Sequence, residues 1–96
     1  MQNILNLDQF ESPTSIIIKG KTYTVNPISY DLANSFLKVN KNTEMSVLLE
    51  LLAQYLNNNQ EAHKVDVNEL RGLLNMKQIL ALTEHIDKEI IEIEKN

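Results

Sequence analysis

His63 and His85 are the only imidazoles, the first in "QEAHK" beside Glu61 and the second directly after Glu84. Proton transfer or zinc binding would need these groups to converge with further ligands or an orienting partner. Their spacing gives no such convergence, and His85 with Glu89 is a single i,i+4 pair, so both read as ordinary solvated residues. The serines at 12, 15, 29, 35 and 46 lack the context of an activated nucleophile, and Ser29 is better explained as a helix cap. "GKT" at 20–22 looks like the end of a phosphate-binding loop. However, the upstream glycine is missing, and the segment runs strand to strand rather than strand to helix. With glycine only at 20 and 72 and no cysteine, phosphate cradles, thiolate catalysis and cysteine zinc sites are excluded. No catalytic, cofactor-binding or metal-binding residue is therefore expected, and the chain reads as non-enzymatic.

Charge narrows the partners. The formal net charge is −4, and the tight corner near Asn75 leads into a helix carrying Glu84, Asp87, Glu89, Glu92 and Glu94. As the recognition helix of a helix-turn-helix it would meet phosphate with net negative charge, so nucleic acid is not an expected partner. No apolar run is long enough to span a bilayer, and "MQNILNLDQFESP" has neither the basic nor the apolar region of a signal peptide. What remains for function is surface. Ile90, Ile91 and Ile93 crowd the end of the last helix, and Leu5, Leu7 and Phe10 punctuate the polar leader. These six are the candidate partner-binding residues, against the alternative that they only complete a core.

The elements that must position these residues follow from periodicity. With 96 residues the chain makes one domain, 14–96, preceded by an arm over 1–13 that Pro13 ends. "SIIIKGKTYTV" predicts a β-hairpin within 14–26. A two-residue turn at Lys19-Gly20 and a four-residue turn both place Ile16, Ile18, Tyr23 and Val25 on one face. Ile17, Thr22 and Thr24 take the other. Pro27 breaks the strand, and Ser29 caps a helix over about 29–40. A Leu-rich helix over 44–57, with Thr43 as its cap, carries Met45, Leu48, Leu49, Leu52, Tyr55 and Leu56 on one face, widened by Val47 and Leu51. "NNNQ" then marks a loop. Capping boxes at Asp66/Glu69 and Asn75/Gln78 open helices over 66–74 and 76–94, each with a hydrophobic staple, Val65 to Leu70 and Leu74 to Ile79. The last helix aligns Ile79, Leu82, Ile86, Ile90 and Ile93, with Leu80 and Ile91 alongside. The expected fold is mainly α: an N-terminal hairpin packed on a bundle of about four helices, with the apolar hairpin face on the 45–56 helix. Its edges are unassigned, so homo-oligomerisation by strand pairing stays open.

The order of these features resembles a known family. A short leader, a hairpin of the form IxIxGKxYxV ("IIIKGKTYTV"), the helix start "NPIS", a Leu-rich helix and the close "VDVNELRGLLNMKQILAL" are similar to tail assembly chaperones of long-tailed, siphovirus-type bacteriophages and prophages. The likeness covers roughly residues 5–94, although the leader is less basic and less proline-rich than in the family. It implies a protein acting in the cytoplasm of the infected bacterial host and absent from the mature virion. It implies binding of the tape-measure protein and recruitment of tail-tube subunits. It also implies a longer product made by ribosomal frameshifting, with which Lys95-Asn96 is compatible. The alternative from the residues themselves is a small acidic regulator or inhibitor, antitoxin- or antirepressor-like, that masks a basic protein partner. Neighbouring genes separate the two: tail-tube and tape-measure genes for the first, a toxin or repressor gene for the second.

Overall fold

The computed structural model describes residues 13–95, with side chains described through Ile91. Leu5, Leu7 and Phe10 lie outside the described residues, as does the side chain of Ile93. The chain runs β1 (Thr14–Ile18), β2 (Lys21–Val25), α1 (Tyr30–Leu37), α2 (Met45–Asn57), α3 (Val67–Leu73) and α4 (Met76–Lys95). The hairpin and the four helices are those expected from the sequence.

The strands pair antiparallel with Ile16 opposite Tyr23 and Ile18 opposite Lys21, so the turn is the two-residue alternative. Lys19 (φ 52°) and Gly20 (φ 78°) are both left-handed, as a type I′ turn requires to follow the right-handed twist of the strands. Ile18, Tyr23 and Val25 are buried and Ile16 half-buried, whereas Ile17 faces outward, 70% exposed. The faces are those that the period of two dictates.

The core is centred on α2, which buries Leu48, Leu49, Leu51, Leu52, Ala53, Tyr55 and Leu56. It touches α1, α3 and β2, so helices and hairpin share one apolar cluster. The expected stripe was too wide at its start: Met45 and Val47 are exposed. Thr43 is also not the cap. Its Oγ1 accepts from the Asn40 backbone N–H at 2.9 Å, closing the preceding turn, and Glu44 occupies the cap position without a side-chain bond. The local turn outcompetes the cap because both draw on the same hydroxyl. Both capping boxes form as expected. Asp66 and Glu69 bond reciprocally, and the Asn75 and Gln78 side chains accept from each other's backbone N–H at 2.9 and 2.8 Å. Val65, Leu70, Leu74 and Ile79 all enter the core, where the two staples need them.

On α4 the line Ile79, Leu82, Ile86 and Ile90 is buried, while Leu80 and Ile91 are exposed. The helix runs beneath β1, where the Thr14 hydroxyl donates to Glu89 Oε1 at 3.3 Å. The hairpin therefore spans two helices, α2 under β2 and α4 under β1.

Lys19 carries the steric cost of a Cβ at positive φ, about 1 kcal/mol. Replacing it with the residue best suited to that position, Lys19→Asn, is expected to raise stability by up to ~1 kcal/mol, read as a higher urea midpoint at unchanged m-value.

Candidate functional site

The chain from Pro27 to Leu37 builds one wall of an apolar groove. Pro27 ends the strand, and Ser29 caps α1, its Oγ accepting from the Leu32 N–H at 3.2 Å. This fixes an eight-residue helix with apolar residues on two sides. Phe36 is buried and Leu32 half-buried in the core. Tyr30, Ala33 and Leu37, spaced three and four apart, form a second stripe. That stripe, with Ile28 before it and Asn34 at the rim, faces the far half of α4 across a groove of about 370 Å³ that also reaches Ile90. Tyr30 is 82% exposed and Leu37 55% exposed, unusual for large side chains beside a core.

The candidates on α4 separate here. Ile90 continues the buried line of its helix and is 3% exposed, so it is a floor residue, not part of a surface patch. Ile91, about 100° further round the helix, is exposed. The two cannot act as one patch because consecutive helical residues point to different faces. Sequence reasoning missed Tyr30 and Leu37 as groove residues. The available signal was an eight-residue helix with more apolar positions than one buried face can use.

A second groove, about 290 Å³, lies between β1 and the first half of α4, with Ile16, Ile18, Leu74, Ala81, Leu82 and His85 along it. His85 is exposed there. His63 sits elsewhere, on the 58–65 loop, with its ring edge-on to Tyr23 at 5.1 Å between centroids. Among the described residues, no three histidine, aspartate or glutamate side chains come together to hold a metal.

The 58–65 loop is the most densely bonded segment. Asn59 donates to the carbonyls of Leu56 (2.7 Å) and His63 (2.9 Å) and accepts from the His63 N–H (2.9 Å). Asn57 exchanges bonds of 2.9 and 2.8 Å with the backbone of Val65. So held, with Ala62 at φ 61°, the loop lies along the outer edge of β2. The Asn26 N–H donates to the Asn58 carbonyl at 2.8 Å, and the Gln60 N–H donates to the Thr24 carbonyl at 3.0 Å. The Thr24 N–H donates to Glu61 Oε1 at 2.7 Å, and its hydroxyl donates to Oε2.

Burial shapes the titratable groups around the core. Tyr55 is pushed up to about 12 by burial and then by the charge of Glu89, partly offset by the nearby Thr14 hydroxyl. Its hydroxyl and Glu89 Oε2 are buried without a hydrogen-bond partner among the described residues. Asp87 is raised by burial and then by the neighbouring Glu84. Burial and the charge of Glu69 raise Tyr23. Glu61 is lowered, first by the Thr24 hydroxyl and then by the Thr24 backbone N–H.

No protein-family model, curated protein or solved structure matches the chain. Function must be argued from the surface itself. No helix among the described residues is long and apolar enough to cross a membrane.

The Glu61 clasp makes a pH prediction. A carboxylate held below its ordinary value of 4.5 stabilises the fold above the unfolded pKa, and this contribution is lost as pH falls through the lower folded value. A carboxylate titration by NMR should place the Glu61 midpoint below 4.5. The Thr24 amide shift should move in step with it, and Glu61→Gln should abolish that movement.

Proposed function

We propose that this chain is a non-enzymatic tail assembly chaperone of a long-tailed phage or prophage. On this reading it acts in the host cytoplasm, binds the tape-measure protein, helps recruit tail-tube subunits and is left out of the mature virion. The resemblance of "IIIKGKTYTV", "NPIS" and "VDVNELRGLLNMKQILAL" to that family supplies the class. The observation that carries the reading is the groove between α1 and α4, with large apolar residues, Tyr30 and Leu37, left exposed along it. An aggregation-prone helical client needs such a surface on a chaperone, and a net charge of −4 keeps the chaperone soluble while it is uncovered. The groove suits the apolar face of an amphipathic helix, whose anchors recur at the same spacing of three and four.

The acidic balance, with Glu84 and Asp87 on α4, also favours a second reading, a regulator that masks a basic partner. Tail-tube and tape-measure genes beside this one would exclude it.

Ile90 is unsuitable as a probe, since a charge there would be buried in the core. Tyr30→Asp/Leu37→Asp places both charges at exposed positions. Co-expression with a tape-measure fragment followed by pull-down should retain the complex for the parent chain and for Leu80→Asp. The double variant, still folded by circular dichroism, should lose it. A folded double variant that retains the fragment overturns the groove as the client site.

A further inference from the structure

The two edges of the hairpin are not equivalent. The outward-facing backbone groups of β2 at Thr24 are taken by Glu61 and Gln60. Since Thr24 points its N–H and C=O away from β1, its partner Ser15 does the same on the opposite edge, and by alternation so does Ile17. Among the described residues, neither Ser15 nor Ile17 has a backbone partner on that side. Beside them lies the apolar groove shared with Leu74, Ala81 and Leu82 of α4. On β2 the loop takes the outward groups of Thr24 and leaves those of Thr22 without a partner among the described residues, whereas on β1 both outward residues are open beside this groove.

The geometry points to a second copy of this chain as the occupant, paired β1 to β1 about a two-fold axis through Ile16. Three symmetric antiparallel registers are conceivable, and the hydrogen-bond pattern separates them. Centring on Ser15 would set Ile17 against Pro13, which has no N–H to give. Centring on Ile17 would set Ser15 against the turn at Lys19. Centring on Ile16 puts Ser15 opposite Ile17 twice, and each pair exchanges both of its bonds. It is the one register that satisfies every outward group of the edge.

Charge agrees with this register. Lys19 of one copy comes to the end of the other copy's strand where Thr14 is bonded to Glu89. The basic tip of each hairpin therefore meets the acidic half of α4, which carries Asp87 and Glu89. Because the axis is normal to the sheet, the buried faces of both hairpins stay on one side, and the two α4 grooves are brought edge to edge. The contact is isologous and uses the open edge of each copy, so it closes at two. This inference is independent of the client groove between α1 and α4.

The full chain is expected to sediment as a dimer across a concentration series. Ile17→Pro removes an N–H that makes no bond within the hairpin, so the fold should survive while dimer affinity falls about tenfold or more, as two bonds per dimer are lost. Thr22→Pro, the same lesion on the β2 edge, should leave dimerisation unchanged. The chain has no cysteine, so Ile16→Cys introduces a single thiol. At a non-hydrogen-bonded pair the two α-carbons lie about 4.5 Å apart, within disulfide reach. Oxidation should cross-link Ile16→Cys and leave Leu80→Cys uncoupled. A monomeric parent chain overturns the proposal and leaves the edge to a strand of another protein. So does a folded Ile17→Pro variant that still dimerises at full affinity, or a dimer in which Ile16→Cys does not cross-link.

Discussion

A two-stranded hairpin is marginal in water because half of its backbone groups and one apolar face have no partner. Here the deficit is met on one side by a stretch of chain that contributes almost no apolar surface. Asn58, Gln60 and Glu61 bond the free edge of β2, and Asn57 and Asn59 hold the loop in the shape that lets them do so. Everything above α2 depends on this clasp. It fixes β2 over the Leu-rich helix, which seats Tyr23 and Val25 in the core, and this in turn carries β1 over α4. The Glu61 carboxylate adds a charge-assisted bond at an exposed position, where the protein can weaken or strengthen it without disturbing the core.

The faces of the hairpin, the four helices and both capping boxes were legible in the sequence. Each depends on a local rule with a short period, two for the strands and three for the box. The choice between the two-residue and four-residue turn came only with the structure. The clasp was not legible. "NNNQ" reads as a polar loop because backbone bonding to a strand edge leaves no hydrophobic pattern, and asparagine serves both turns and caps. Thr43 illustrates the same ambiguity in the other direction, since its hydroxyl could close a turn or cap a helix and one bond had to lose. Ile90 and Ile91 were grouped by adjacency, whereas the helix separates them by geometry. Tyr30 and Leu37 went unnoticed because a second apolar stripe on a short helix is visible only once the first has been seen to be buried.

The helix α4 joins surfaces that would otherwise be unrelated. Its first half lines the groove under β1, and its second half closes the groove against α1. One element therefore relates the β1 edge to the apolar groove beside α1. A change in how β1 is engaged would be felt by α4 through the Thr14–Glu89 bond. The orphaned hydroxyl of Tyr55 and the free oxygen of Glu89 lie at this joint. An unpaired polar group in a core is costly, so a rearrangement that paired these two would be favoured.

The three tyrosines have an optical consequence. The chain has no tryptophan, so its near-ultraviolet emission comes from tyrosine alone. Tyr23 and Tyr55 are enclosed, one at 2% exposure and the other at 1%, whereas Tyr30 stands open on the wall of the groove between α1 and α4. A soluble quencher would reach only Tyr30, and anything seated in that groove would shield it. The protein therefore carries its own unlabelled reporter of occupancy, at the surface where occupancy would matter.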